Sequence, residues 1–156
     1  MLAEFGLRAK GAAMGKWRKT LLCVDDNQGC LNFHKTILED LGYTVLTASS
    51  GREGLQVFAS NAIDAVLLDY QMPDMNGEMV AAGLRKMNPG VPILLFSGYE
   101  SLPESTLRLV DEFIPKGNSA EFLLLAIQQL LTRGEKRKPV RAVTRSRVGK
   151  ERLAQP

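Results

Sequence analysis

The feature that most constrains the fold is an alternation of short apolar segments with segments of helical periodicity. Five apolar segments recur between residues 20 and 115, and a stretch of helical spacing follows each one. Strands that alternate with helices are joined by right-handed crossovers into a parallel sheet that is covered on both faces. The sequence therefore predicts a single α/β domain with a five-stranded, doubly wound parallel sheet.

The predicted elements follow from the apolar pattern and from capping residues. The strands are expected at Thr20–Val24, residues 43–48, 64–69 and 92–97, and Glu112–Pro115. The helices are expected between Asn27 and Gly42, and over residues 52–60, Gly77–Met87, 104–110 and 120–131.

Composition excludes several classes of protein. Hydrophobic residues make up 45% of the 156 residues and charged residues 24%, which is typical of a soluble globular protein. Apolar stretches such as residues 122–127 are far too short to cross a bilayer, and residues 1–19 lack the apolar core of a secretory signal. The two cysteines, Cys23 and Cys30, cannot build a disulfide framework or a zinc ribbon. A cytoplasmic location without membrane contact is expected.

Charge is distributed unevenly along the chain, although its formal net charge is only +3. The central residues are acidic overall, and both ends are basic. We divide the chain into a flexible basic leader at residues 1–18, a folded domain at residues 19–133, and a basic tail at residues 134–156. The composition of the tail favours disorder. The tail could bind nucleic acid or an acidic partner, but it carries no recognition motif and no aromatic residue.

Polar and charged residues stand where the predicted strands end. Asp25 and Asp26 follow the first strand, Asp69 ends the third, Ser97 ends the fourth, and Lys116 follows the fifth. In parallel α/β sheets, the functional crevice lies at the carboxyl ends of the strands. Three neighbouring carboxylates repel each other unless a cation lies among them, and their oxygens suit Mg²⁺. A lysine and a hydroxyl opposite them would complement a phosphoryl group.

Four short motifs surround these residues. They are residues 24–27 (VDDN), 69–77 (DYQMPDMNG, a D-x-x-M-P-x-M-x-G pattern), 96–98 (FSG) and 113–116 (FIPK). Each motif is weak alone, but in this order and at strand ends they are specific. The chain resembles the receiver domain of response regulators in two-component signalling over roughly residues 19–133.

The resemblance implies a flavodoxin-like fold with strand order 2-1-3-4-5 and a role as phosphoacceptor, not as an enzyme. Asp69 would accept a phosphoryl group from a histidine kinase or a phosphotransfer protein. Mg²⁺ would be bound by Asp25, Asp26, Asp69 and the backbone carbonyl of Gln71. The phosphorylated form would then signal through a conformational switch to a protein partner that the sequence does not identify.

The resemblance also assigns residues to switching and to the lifetime of the phosphorylated state. Lys116 would pair with a phosphoryl oxygen, Ser97 would hydrogen-bond to the phosphoryl group, and Phe113 would turn inward into the space that Ser97 leaves. Gln71 and Tyr99 would flank the approach of the hydrolytic water. Neither side chain is an acid or a base at neutral pH, so we expect a long-lived phosphoryl group.

Two departures from the family pattern concern the readout surface. The stretch from Ser97 to Lys116 is a few residues shorter than usual, which predicts a truncated or reoriented fourth helix. Pro115 precedes Lys116, whereas many family members place a proline after this lysine, and Gly117 stands there instead.

Three other interpretations compete with a receiver domain. The acidic residues could simply be solvated caps at strand ends. A phosphohydrolase of the haloacid-dehalogenase type also uses an aspartate nucleophile and Mg²⁺, but it requires a second aspartate two residues later, where this chain has Gln71. A nucleic-acid-binding protein that uses its basic ends, with the folded domain as a regulatory body, is the third.

Overall fold

The computed structural model describes residues 18–137, with side chains described as far as Gly134. The predicted leader up to residue 17 and the predicted tail from residue 138 lie outside this range. In the described range, five parallel strands form one sheet in the order β2-β1-β3-β4-β5, which confirms the predicted fold. The strands are β1 (Thr20–Val24), β2 (Thr44–Ala48), β3 (Ala65–Asp69), β4 (Ile93–Ser97) and β5 (Glu112–Pro115). The helices are α1 (Gln28–Asp40), α2 (Gly51–Ser60), α3 (Gly77–Met87), α4 (Glu104–Leu107) and α5 (Ala120–Arg137).

The central strands are apolar along almost their whole length because helices cover both faces of the sheet. All five residues of β3 and all five of β4 are buried. One apolar layer joins the sheet to α1 and α5 through side chains such as Leu38 and Ile127. The other joins it to α2 and α3 through side chains such as Phe58 and Leu84. No helix in the described range is both long enough and apolar enough to cross a membrane.

Side-chain caps begin the first three helices where the sequence predicts helix starts. Asn27 accepts a hydrogen bond from the backbone N–H of Cys30 at the start of α1. Ser50 and Asn76 cap α2 and α3 in the same way. Each cap satisfies a backbone donor that has no partner inside the helix.

The fourth helix has only four residues, which confirms the truncation predicted from the short stretch between Ser97 and Lys116. The predicted bounds, residues 104–110, are wrong beyond Leu107. After Leu107 the backbone turns, and the N–H of Leu109 donates to the carbonyl of Thr106. A further turn is prevented by the sheet, because the backbone N–H of Asp111 donates to the carbonyl of Ile93 on β4 and not to the carbonyl of Leu107. The carbonyl of Leu109 accepts a hydrogen bond from Arg85 on α3. In contrast, α5 extends beyond its predicted end at residue 131 and continues to Arg137.

Candidate functional site

Three carboxylates meet at the carboxyl edge of the sheet. Asp25 directly follows β1, and Asp69 ends the neighbouring strand β3; each is 1% exposed, whereas Asp26 is exposed. One carboxylate oxygen of each residue lies within 4.8 Å of the other two. The structure therefore brings together all three acidic residues that the sequence predicts at this edge.

The strand register explains this meeting. In the parallel pair β1 and β3, Val24 lies opposite Leu68, so the residue that follows each of them lies at the same edge. The backbone N–H of Asp25 donates to the carbonyl of Ala48 on β2, which continues the sheet by one residue. The Oδ1 atom of Asp25 accepts the backbone N–H of Asn27 at 2.8 Å. Its other carboxylate oxygen, Oδ2, has no hydrogen-bond partner in the described part of the chain.

Lys116 reaches the acidic cluster from the end of β5. Its Nζ lies 2.9 Å from Asp69 Oδ1 and 3.8 Å from Asp25 Oδ2. The backbone N–H of Lys116 donates to the carbonyl of Ser97, which ties the residue after β5 to the last residue of β4. The ammonium also lies over the ring of Phe96, 5.3 Å from its centroid. One cation thus faces two buried carboxylates.

Burial and pairing act in opposite directions on this ion pair. Burial raises the pKa of Asp69, although the close pairing with the Lys116 ammonium lowers it and the charge of Asp25 adds to the rise. Burial by itself would lower the pKa of Lys116, but the attraction of Asp69 and Asp25 outweighs it and raises that pKa. Lys116 therefore stays charged at neutral pH and supports an ionised Asp69.

The remaining predicted residues lie on β4, on β5 and in the segments that follow β3 and β4. Ser97 is fully buried at the end of β4, and its Oγ accepts the backbone N–H of Tyr99 at 3.1 Å. Tyr99 is 52% exposed, and its ring centroid lies 6.2 Å from that of Tyr70 in an edge-on arrangement. Gln71 is exposed, and a Cβ at position 98 would lie 3.2 Å from its Oε1. Phe113 is half-buried on β5, three residues before Lys116 and opposite Leu95 of β4.

The last glycine of the D-x-x-M-P-x-M-x-G pattern has a steric role. A Cβ at Gly77 would lie 2.8 Å from the carbonyl oxygen of Asp69 and 2.8 Å from the Cα of Tyr70. The start of α3 therefore packs directly against the end of β3. In the intervening loop, Asp74 has a positive φ of 66°, a conformation that aspartate tolerates better than most residues. The loop is short and tightly folded behind Asp69.

The donor set fits Mg²⁺. Asp25, Asp26 and Asp69 offer hard oxygen ligands, and Asp25 Oδ2 is a buried oxygen that has no hydrogen-bond partner in residues 18–137. Burial of several carboxylates together favours a divalent cation among them, because it relieves their mutual repulsion. The site is thus an acidic pocket compatible with Mg²⁺ binding.

Two aromatic residues beside the site have contacts that sequence reasoning missed. Phe96 is 6% exposed, and His34 on α1 packs edge-on against it, with 5.1 Å between ring centroids. His34 is one of the buried residues of α1. The one sequence feature that could have pointed to Phe96 is its position directly before Ser97 at the end of the strand.

Comparison with known proteins points to one family. The family model described as the response regulator receiver domain matches residues 21–128. The transcriptional regulatory protein GlrR of Escherichia coli is 35% identical over 114 residues, which cover 71% of this chain and 26% of that protein. The chain spans about a quarter to a half of the length of the first curated relatives that it matches.

Solved structures agree with this result. A CheY-like receiver domain protein from Methanospirillum hungatei matches with a TM-score of 0.73 and 33% identity, over 77% of this chain and 98% of that one. The response regulator TrrA from Thermotoga maritima, solved in complex with Mg²⁺ and BeF, matches with a TM-score of 0.68 and 31% identity, over 72% of this chain and 98% of that one.

Proposed function

The chain belongs to the response regulator receiver domain family, and from this we propose that it accepts a phosphoryl group on Asp69 in a two-component phosphorelay. The donor is a phosphohistidine of a histidine kinase or of a phosphotransfer protein. The output is a conformational switch that a protein partner reads. The observation that carries the proposal is the position of Lys116, with its ammonium 2.9 Å from the buried carboxylate of Asp69 and 3.8 Å from that of Asp25.

The chemistry follows from this arrangement. An oxygen of the ionised Asp69 attacks the phosphorus atom, the phosphorus–nitrogen bond to the donor histidine breaks, and an acyl phosphate forms on Asp69. The electron pair of the broken bond stays on the histidine ring. Lys116 moves from Asp69 Oδ1 to a phosphoryl oxygen as a compact positive charge and offsets the added negative charge. Because the site is buried, this electrostatic contribution is larger than it would be in water.

The pocket also accounts for a metal requirement. Asp25, Asp26 and Asp69, together with the backbone carbonyl of Gln71, would hold Mg²⁺. The bound cation would neutralise charge between the carboxylates and the incoming phosphoryl oxygens. Asp26, which is exposed, leaves this side of the pocket open to solvent and to a donor.

We assign the switch to Ser97 and Phe113. The Ser97 hydroxyl accepts the N–H of Tyr99 and still has its own proton to donate, so it can turn toward a phosphoryl oxygen. Phe113, half-buried on the edge strand β5, would then move inward. Such a change is a population shift driven by about two units of added negative charge.

Receiver domains are phosphoacceptors rather than enzymes of the ordinary kind. We propose in addition that this domain assists both the gain and the loss of its own phosphoryl group, and that it acts in the cytoplasm, where its kinase would find ATP. The finding that no described helix could span a membrane is compatible with that location.

The direct test is incorporation of phosphate from acetyl phosphate in the presence of Mg²⁺, followed by intact-protein mass measurement. The wild type and an Asp74→Asn variant should gain one phosphoryl group, since Asp74 is an exposed aspartate of the same loop. Asp69→Asn, or the wild type with excess chelator, should gain none. Equal incorporation in Asp69→Asn would reject the assignment of the acceptor.

A further inference from the structure

The ammonium of Lys116 has a second neighbour besides the two carboxylates. It lies 5.3 Å from the centroid of the Phe96 ring, within the distance at which an aromatic face attracts a cation. Phe96 is the residue before Ser97 on β4, and it lies opposite Asp69 on one side and Ile114 on the other. A buried aromatic face therefore stands directly beside the carboxylate that Lys116 pairs with.

The side chain of Lys116 benefits from such a support because it stands at an exposed end of the sheet. Its side chain is 35% exposed, and it stands at the end of the edge strand. Gly117 follows with a φ of 110°, and Asn118 and Ser119 are exposed. A lysine side chain loses much of its rotamer entropy when it is held in one place. The neutral Phe96 ring restricts the Lys116 side chain and leaves its positive charge available to the carboxylates.

The ring of Phe96 is itself held in place. It is 6% exposed, and His34 meets it edge-on, with 5.1 Å between centroids and an interplanar angle of 87°. His34 is 7% exposed on α1, and its Nδ1 has no hydrogen-bond partner among the described residues. An edge-on aromatic contact of this kind is favourable beyond the area that it buries. The rings of His34 and Phe96 thus form an edge-on pair that lies beside the Lys116 ammonium.

We propose that Phe96, braced by His34, is a positioning residue that keeps the Lys116 ammonium at the acidic site. The consequence for phosphoryl transfer rests on the function proposed above; the positioning itself does not. When the phosphoryl group arrives, Lys116 exchanges one oxygen partner for another while the ring continues to restrict its side chain. The Phe96 ring touches neither donor nor phosphoryl group in this scheme and acts only through the lysine.

The first test measures positioning without any phosphorylation. NMR relaxation of the lysine ε-methylene carbons gives the order of each lysine side chain. In the wild type, Lys116 should be clearly more ordered than Lys35, a surface lysine on α1 whose Nζ lies 3.9 Å from Glu39. In Phe96→Leu, the order of Lys116 should fall toward that of Lys35. Phe58→Leu, a matched change at a buried phenylalanine on α2, should leave it unchanged.

The second test asks whether Phe96 acts through Lys116. Phe96→Leu should slow phosphorylation by acetyl phosphate about threefold to tenfold, the size expected from loss of one cation–aromatic contact. In a Lys116→Ala background, the same change should have no further effect on the rate, because residues that act as a unit are not additive. Phe58→Leu should have equal, small effects in both backgrounds.

The outcomes separate the two proposals. If Lys116 is as ordered in Phe96→Leu as in the wild type, or if Phe96→Leu slows the reaction equally with and without Lys116, the positioning role is wrong. If the wild type takes up no phosphate at all, the proposed function fails, and the NMR measurement alone decides the positioning role. Should Phe96→Leu not fold, Phe96→Met replaces it, since methionine fills a similar volume without a ring.

Discussion

Arg85 and Asp111 form a half-buried ion pair, with 2.7 Å between Nη2 and Oδ2, that joins the end of α3 to the residue before β5. The same guanidinium donates from Nε to the carbonyl of Leu109 and from Nη1 to the carbonyl of Pro89. Asp111 Oδ2 also accepts the backbone N–H of Ile93 at 2.9 Å. One side chain therefore ties the loop before β4 to the segment between the short helix α4 and β5.

Replacement of Arg85 by alanine should destabilise the domain by about 3 kcal/mol, because it removes the cation that pairs with Asp111 and leaves the partly buried carbonyls of Leu109 and Val91 without the guanidinium donor. Urea unfolding followed by circular dichroism measures the change. Arg108→Ala is the control, since Arg108 and Glu104 form an exposed pair 2.6 Å apart, three-quarters in solvent. Arg108→Ala should lower the free energy of unfolding by less than about 0.5 kcal/mol. Similar losses for both variants would contradict a structural role specific to Arg85.

Replacement of Asp69 by asparagine should stabilise the unphosphorylated domain at neutral pH by about 1 kcal/mol, because it removes one of two buried like charges. Burial raises the pKa of Asp69, so its ionised form is less favourable in the folded state than in the unfolded state. The stability gap between the variant and the wild type should therefore narrow as the pH falls through that raised pKa and Asp69 protonates. Urea unfolding across acidic pH measures the gap.

Asp26→Asn is the matched control for that experiment. Asp26 belongs to the same cluster but is exposed, so its neutralisation should change the free energy of unfolding much less than that of Asp69. An equal gain in the free energy of unfolding for both variants would show that long-range charge repulsion, not burial, destabilises the wild type.

His34 should make the domain less stable in mild acid. Burial lowers the pKa of His34, although the charge of Asp25 opposes the shift. The unfolded chain therefore binds a proton first, and stability should fall as the pH drops below the ordinary histidine value of about 6.5, by at most about 1.4 kcal/mol per pH unit. His34→Leu should lose this component. Urea unfolding at several pH values for both proteins gives the comparison, and parallel curves would exclude the effect.

Tyr99 should protect the phosphorylated state from hydrolysis. Its ring packs beside Tyr70, in the segment that follows the acceptor, and Tyr99→Ala should open the approach of water to the phosphorus. Tyr99→Phe keeps the ring and should keep the lifetime. Loss of phosphate from the isolated domain is followed by mass measurement after removal of the donor. An unchanged or longer lifetime in Tyr99→Ala would show that the ring does not shield the site.

Gln71 should have a smaller and separate effect on the same lifetime. Its amide can orient a water but cannot take its proton, and its side chain is exposed beside Gly98. Gln71→Ala should change the lifetime less than Tyr99→Ala does. A larger effect of Gln71→Ala would show that the Gln71 amide, and not the Tyr99 ring, mainly sets the lifetime of the phosphorylated state.

Residues 138–156 should be dispensable for the chemistry. Their composition offers too little apolar area to offset the entropy of ordering, whereas α5 runs without a break through the predicted boundary at residue 133. A chain that ends after Arg137 should melt and phosphorylate like the full chain. A large drop in melting temperature would indicate that the basic tail docks on the acidic domain.

Local sequence patterns are sufficient to predict the sheet and the acidic site. Apolar segments that end at Asp25, Asp69 and Ser97 are local patterns, and a parallel sheet places all strand ends of one kind at one edge. The four motifs then restrict the chemistry to one family, because each supplies a different group at that edge. These conclusions need no knowledge of how any side chain packs.

Other points depend on contacts between distant parts of the chain, and they follow only from the folded structure. The helix α4 ends at Leu107 because Asp111, four residues later, pairs with β4, and Lys116 lies over Phe96 because β5 pairs with β4. The contact of His34 with that ring likewise joins α1 to the sheet. Such contacts depend on the distances and angles at which elements pack, and the local hydrophobic periodicity does not encode these. Only the folded chain determines which side chains stand beside the strand ends.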